Sequence, residues 1–170
     1  PPAPLPVASP LAPAPPLAMA GPDHDGLSGA RLILHEGLYY SEFEPVISLH
    51  TGRVVGHEAL ARFVRPDGSL VSPGTMFALL HGAPELLLEA ELRLKRHQIE
   101  HAPKGTELFL NVDPDSWAAG GQGPENALLD LLSSAPGRVV IEVIENMDAA
   151  DAQLARELIG SVPPARLTVA

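Results

Sequence analysis

The sequence contains no cysteine and few aromatic residues, and each absence narrows what the chain can be. Without cysteine, a disulfide framework, a zinc–thiolate site and a cysteine nucleophile are all excluded. Phe, Trp and Tyr together number seven among 170 residues, whereas hydrophobic residues make up 45% of the chain. The core is therefore expected to be aliphatic. The length suits a single domain.

Basic residues are also scarce, with 11 Lys and Arg against 21 Asp and Glu, giving a net charge of −10. No DNA or RNA duplex is expected as a partner, because that mode of binding needs clustered Lys and Arg. An acidic protein can still bind a small anionic ligand where a divalent metal supplies positive charge. No apolar run reaches the roughly 18 residues that a membrane-spanning helix needs. The expected location is cytoplasmic, and a longer parent chain with a membrane tether stays open.

The first 30 residues form a Pro/Ala-rich segment, with nine prolines in the first 22 positions. Proline removes backbone donors and favours extended polyproline II, so this arm is predicted to be a disordered linker over residues 1–30. We expect it to tether the domain to an upstream sensor or signalling domain. A proline-rich ligand for a recognition domain is the alternative.

From residue 31 onward the pattern is α/β. Residues 39–49 and 53–63 predict an antiparallel hairpin around the turn at Thr51-Gly52. Ser72-Pro73 and Asp113-Pro114 each predict a helix start, with the first residue as N-cap. Further strands are predicted over residues 107–112, 138–144 and 165–170, with helices over 84–101, 125–133 and 148–159. This alternation of strand and helix is typical of a parallel sheet.

Five residues on these strands are candidates for chemistry. Glu58, Leu60 and Arg62 share one face of the second strand, because strand side chains alternate. Asn111 stands at the end of an apolar strand, and Glu142 is embedded in a run of Val and Ile. A carboxylate in such a run is costly unless it is paired, protonated or bound to metal. The simpler alternatives are a hydrated sheet end for Glu58 and Arg62 and a backbone-satisfying amide for Asn111.

Three oxygen donors, Glu58, Asn111 and Glu142, therefore come from three successive strands. Such hard ligands favour magnesium, manganese or calcium over zinc. In a barrel of parallel strands they would converge at one rim. The seven histidines show no metal-ligand spacing along the sequence.

Three blocks carry a resemblance to a known family. They are EPVISLHTGRVVGHEALARF at 44–63, FLNVD at 109–113 and VVIEVIEN at 139–146. In this order and at this spacing they resemble the EAL domain, the family that hydrolyses cyclic di-GMP. The resemblance covers residues 39–170. It implies that residues 31–170 are the N-terminal part of an EAL-type barrel, truncated at the C-terminus: a partial TIM-like (β/α) barrel with an antiparallel opening hairpin.

The resemblance also implies roles for the five candidates. Glu58, Asn111 and Glu142 correspond to ligands for Mg²⁺ or Mn²⁺, with Glu58 also catalytic, and Leu60 and Arg62 to residues that contact cyclic di-GMP. The implied reaction is hydrolysis to linear pGpG by metal-activated water. The family's acidic pair and its later lysine are expected beyond the last residue, so this chain is expected to be inactive alone. An open apolar strand edge would also favour a homo-oligomer.

The sequence departs from the family pattern at several positions. Glu44 stands where the family usually has Gln, Ile144 where it usually has Thr, and Asp113 where Ser is more usual. Glu44 would repel a phosphate unless its side chain is turned away. An N-cap role before Pro114 accounts for Asp113, whereas Glu44 and Ile144 favour the alternative function, a non-catalytic EAL-like module that binds cyclic di-GMP or a protein partner.

Overall fold

The computed structural model describes residues 26–121, 125–143, 149–162 and 167–169. The strands are β1 Tyr39–Ile47, β2 Val54–Val64, β3 Leu70–Val71, β4 Glu107–Val112, β5 Val139–Val143 and β6 Leu167–Val169. The helices are α1 Gly26–His35, α2 Pro73–Leu80, α3 Pro84–His101, α4 Pro114–Ala119, α5 Ala127–Ser133 and α6 Ala149–Ser161. Among these helices none has both the length and the apolar character needed to cross a membrane.

The strands form one sheet in the order β1-β2-β4-β5-β6, with β3 pairing to β2. β1 and β2 are antiparallel, whereas β2, β4, β5 and β6 run parallel to one another. Helices follow β3, β4 and β5 along the chain. The predicted α/β class with an antiparallel opening hairpin is confirmed. Within the described residues, the sheet is open, with β1 and β6 at its two ends.

The opening hairpin sets the register that positions the site. Its turn contains Gly52 with φ +68°, a conformation that glycine adopts at no steric cost. Along β1, Phe43 packs against the core, while Glu42 and Glu44 are exposed on the opposite face. Residues directly opposite each other in an antiparallel pair share a face, so this exposed face of β1 continues onto β2.

Both predicted N-caps are present. The Ser72 side chain accepts the Thr75 backbone N–H at 3.1 Å, with Pro73 as the first residue of α2. The Asp113 side chain accepts the Asp115 backbone N–H at 2.9 Å, so α4 begins immediately after β4. This short connection holds the carboxyl end of β4 next to the first turn of α4.

The core is aliphatic, as the composition predicts, and consists of two clusters. One lies between β4, β5 and helices α4, α5 and α6, with Trp117 as its only buried aromatic among the described residues. The other lies between α1, α2, α3 and the end of β2, where Phe63 is fully buried. Helix α3 contacts β1 and β4 as well as α4 and α5, and so supports the sheet beneath the site.

The predicted linker boundary is wrong for its last five residues. The proline-rich pattern predicts a disordered arm as far as residue 30, but α1 begins at Gly26, and residues 1–25 lie outside the described residues. Ala30, Ile33 and Leu34 are buried against the second cluster, and Leu27 packs beside them. Their spacing of three and four residues is that of a helix face, which the neighbouring prolines obscured.

Candidate functional site

The structure brings the three predicted oxygen ligands together. Glu58 lies in β2, Asn111 in β4 and Glu142 in β5, and β4 lies between the other two strands. The Asn111 Nδ2 donates to Oε1 of Glu58 at 2.8 Å. Asn111 is also the Cα partner of Glu142 in the parallel β4–β5 ladder. One amide thus stands between two carboxylates on adjacent strands.

The two carboxylates influence each other electrostatically. Partial burial raises the pKa of Glu142 above its ordinary value, and the negative charge of Glu58 raises this pKa further. Both effects disfavour the ionised form, and a cation between the two groups would relieve both. Two carboxylates and an amide oxygen are ligands that hard divalent cations such as Mg²⁺ and Mn²⁺ accept, so the residues present fit such an ion.

A further carboxylate, Glu44, shares this face of the sheet. Glu44 is the Cα partner of Glu58 in the β1–β2 ladder, so the two side chains project to the same side. The Glu44 side chain is exposed on this face. The departure from the family's usual Gln therefore adds negative charge beside Glu58.

Leu60 and Arg62 line a cavity of about 660 Å³ between the end of β2 and helices α2 and α3. Of the three predicted ligands, Asn111 alone lines this cavity. The Arg62 Nη2 lies 2.6 Å from Oε2 of Glu42, and its Nη1 donates to the Ala61 carbonyl at 3.0 Å. Arg62 is therefore not paired with Glu58 on its own strand.

Sequence reasoning missed Glu42 as the partner of Arg62. The alternation of side chains along β1 could have identified Glu42, because residues two positions apart share a face and Glu42 therefore lies on the same face as Glu44. The partner itself depends on the register, in which Glu42 lies opposite Leu60 and therefore diagonally from Arg62. An anionic ligand at Arg62 would have to compete with this carboxylate.

Buried polar side chains of α3 line the same cavity. The Lys95 Nζ lies 3.0 Å from Oε2 of Glu91, and both side chains are almost fully buried. Burial raises the pKa of Glu91, Lys95 opposes this, and the Asp113 carboxylate adds to it. Glu91 and Asp113 are therefore close enough for their charges to interact. Gln98 is also buried and donates from Nε2 to the Ala59 carbonyl at 3.2 Å.

One histidine joins carboxylates that are distant in sequence. The His81 Nε2 lies 2.8 Å from Oδ2 of Asp113 and 3.7 Å from Oδ2 of Asp115. Sequence spacing gave no metal-ligand pattern for any histidine, because His81 precedes Asp113 by 32 residues. The fold brings them together by placing the end of α2 beside the start of α4.

The family model of the EAL domain matches residues 28–162. This match covers most of the chain, and the chain belongs to the EAL domain family.

Individual proteins are also similar to this chain. The chain is 30% identical over 127 residues to an uncharacterized protein of Synechocystis, a match that covers 67% of this chain and 18% of that protein. The EAL domain of Pseudomonas aeruginosa FimX bound to c-di-GMP matches with a TM-score of 0.62 at 22% identity, over 86% of this chain and 61% of that one. The Bacillus subtilis YkuI protein, with an EAL domain in complex with c-di-GMP and calcium, matches with a TM-score of 0.58 at 25% identity, over 76% of this chain and 34% of that one. The chain spans less than two thirds of each of these relatives.

Proposed function

We propose that this chain forms the cyclic di-GMP-binding and metal-binding N-terminal part of a phosphodiesterase that yields linear pGpG. The observation that carries the proposal is the contact of Asn111 with Glu58, next to Glu142, on three adjacent strands. The complex of the YkuI protein with c-di-GMP and calcium supports both the nucleotide and a divalent ion as ligands of this fold.

In this proposal, Glu58, Asn111 and Glu142 hold Mg²⁺ or Mn²⁺, and Glu58 is the catalytic residue among them. Such an ion would polarise the phosphodiester and make a bound water a stronger nucleophile. Leu60 and Arg62 contact the dinucleotide from the adjoining cavity, with the Arg62 guanidinium near a phosphate. A phosphate of the dinucleotide would replace the Glu42 carboxylate as the partner of Arg62, since both groups accept paired hydrogen bonds from a guanidinium.

The chain by itself is proposed to be inactive. A closed barrel of this type has about eight strands, whereas the described strands form an open sheet. A solvent-open face would leave an attacking water poorly positioned.

The second candidate function is a non-catalytic module that binds cyclic di-GMP or a protein partner. The specific observation in its favour is Glu44, which lies directly opposite Glu58 and adds a like charge where phosphate would approach. Four further proposals accompany either function. They are an upstream sensor or signalling domain, a cytoplasmic location, self-association through the β6 edge, and the absence of a nucleic-acid duplex partner.

Calorimetric titration of the chain with cyclic di-GMP, in Mn²⁺, Mg²⁺ or chelator, tests the proposal. We expect metal-dependent binding that Glu58→Gln abolishes and Glu89→Gln leaves unchanged, since Glu89 is an exposed helical carboxylate paired with Arg93. No binding by the wild-type chain in either metal would refute the proposed ligand. Chromatographic assay for pGpG provides the second measurement. Robust metal-dependent turnover by the chain would show that it needs no further metal-binding side chains for activity. A longer parent protein that binds cyclic di-GMP without turnover would establish the second candidate function.

A further inference from the structure

A second set of metal-ligand side chains lies on the cavity wall. His81 forms the C-terminal cap of α2, Asp113 the N-cap of α4, and Asp115 lies in the first turn of α4. One ligand atom from each of the three lies within 4.8 Å of the other two. Asp113 is nearly fully buried, and all three residues line the cavity that also contains Leu60 and Arg62.

The distances suit one small cation. Two ligands bound at about 2.0 to 2.2 Å in a tetrahedral site are separated by roughly 3.4 Å. The 3.7 Å from His81 Nε2 to Asp115 Oδ2 is close to this separation, whereas the 2.8 Å to Asp113 Oδ2 is a hydrogen bond that a bound ion would replace. The other oxygen of Asp113 accepts the Asp115 backbone N–H, which holds the carboxylate in place with Oδ2 towards His81.

The charges around the cavity also favour a cation. The carboxylates of Asp113, Asp115 and the buried Glu91 line this cavity, and the Lys95 ammonium lies 3.0 Å from Glu91. Arg62 is already neutralised by Glu42. The Lys95 ammonium is likewise engaged by the equally buried Glu91 carboxylate.

Another buried oxygen lines the same cavity. Gln98 is 1% exposed, and its Oε1 has no hydrogen-bond partner among residues that the structure describes. A buried acceptor without a donor is costly unless a water or an ion satisfies it.

We propose that His81, Asp113 and Asp115 bind a divalent first-row transition-metal ion, separately from the site at Glu58. An imidazole nitrogen with two carboxylates selects ions such as Zn²⁺ over Mg²⁺, which prefers oxygen alone. Three protein ligands leave a fourth position of a tetrahedral ion for water or an anion. The ion places positive charge on the wall shared with Leu60 and Arg62. This proposal does not depend on the proposed function.

Titration with Zn²⁺ in competition with a chromogenic chelator tests the site. The Glu58→Gln chain is used, so that the first site is disabled. We expect this chain to bind one Zn²⁺. In the same background, His81→Gln and Asp115→Asn should each weaken Zn²⁺ binding at least about tenfold. A loss of that size is already typical when a hydrogen-bond partner of a metal ligand is removed. His101→Gln, at an exposed histidine of α3, is the matched control and should leave the affinity unchanged.

The result that overturns the proposal is equally clear. If the Glu58→Gln chain binds no Zn²⁺, or if the His81 and Asp115 variants bind it as tightly as their parent, the cluster is a histidine–carboxylate hydrogen bond and nothing more. Asp113 is not substituted, because losing its N-cap could unfold α4. Circular dichroism confirms folding of each variant. Visible absorption of bound Co²⁺, which reports a nitrogen–oxygen tetrahedral site, should be lost in both variants.

Discussion

Asn111 donates its Nδ2 hydrogen to Oε1 of Glu58 at 2.8 Å, across 53 positions of sequence. A carboxylate only accepts hydrogen bonds, so this contact determines which end of the amide faces Glu58. The Asn111 Oδ1 and the second Glu58 oxygen are then left for other partners. This single contact connects β2 to β4 at the candidate site and orients two of its three proposed ligands.

Replacing Asn111 tests this contact directly. Asn111→Ala is expected to lower the affinity for Mn²⁺ at least about tenfold. It should also lower the free energy of unfolding by about 1 to 2 kcal/mol, because a hydrogen bond to a charged group is lost. Calorimetry and urea unfolding measure the two effects. Gln153→Ala truncates an exposed amide that bonds Glu157 and is the control. Unchanged Mn²⁺ affinity in Asn111→Ala would remove Asn111 from the ligand set.

Glu44 is predicted to weaken ligand binding. Glu44→Gln keeps the shape of the side chain but removes the charge opposite Glu58. We expect cyclic di-GMP to bind roughly two- to fivefold more tightly, since like charges on facing strand positions cost up to about 1 kcal/mol. The gain should shrink in high salt, which screens exposed charges. Weaker binding would instead identify Glu44 as a favourable contact.

Arg62 and its partner Glu42 should respond in opposite directions. Glu42→Gln releases the guanidinium from its carboxylate and is expected to tighten cyclic di-GMP binding a few-fold. Arg62→Gln is expected to weaken it at least about tenfold, because a charge-assisted pair with phosphate is lost. Equal affinities for the two variants would show that the nucleotide phosphate does not reach Arg62.

The pH dependence of stability should include a contribution from His97. Burial lowers the pKa of His97 below its ordinary value near 6.5, the neighbouring His101 lowers it further, and Glu100 opposes both. The unfolded chain therefore takes up this proton more readily than the folded chain, and stability is lost as pH falls below about 6.5. Between about pH 7.5 and about pH 5.5, the wild-type chain should lose more free energy of unfolding than His97→Gln. Exposed His35 is the control position for the same substitution. Identical losses in wild type and His97→Gln would contradict the prediction.

Gly56 is required by the close packing of β2 on β4. A Cβ at this position would lie 2.4 Å from the Phe109 ring and 2.8 Å from the Glu107 carbonyl. Gly56→Ala should therefore destabilise the chain by about 1 to 3 kcal/mol. A Cβ added at Gly74, in α2, would meet no atom within 4 Å, and Gly74→Ala should be neutral or stabilise by up to about 1 kcal/mol. Equal unfolding midpoints for the two variants would show that β2 shifts at little cost.

Local chemistry in the sequence was sufficient for much of the fold. The bounds of α3 and β4 and the caps at Ser72 and Asp113 follow from residues adjacent in sequence, since capping and strand alternation act over two to four positions. The residue pattern likewise placed Glu58, Asn111 and Glu142 on three strands, which the structure shows to be adjacent in the sheet. The helix α1 was missed, because the proline-rich texture of the arm extends the linker prediction past Gly26 into the apolar face of this helix.

The charge environment of the site was decided by the tertiary structure alone. Glu42 pairs with Arg62, and Glu44 lies opposite Glu58, because of the register of β1 against β2. A shift of one residue in this register would move the Glu42 and Glu44 side chains to the other face of the sheet. The meeting of His81 with Asp113 depends on how α2 packs beside α4. Sequence patterns assign residues to strands and helices through local preferences. Packing between elements determines which of their side chains come within hydrogen-bonding distance. This packing involves contacts across the whole chain, so local preferences do not specify it.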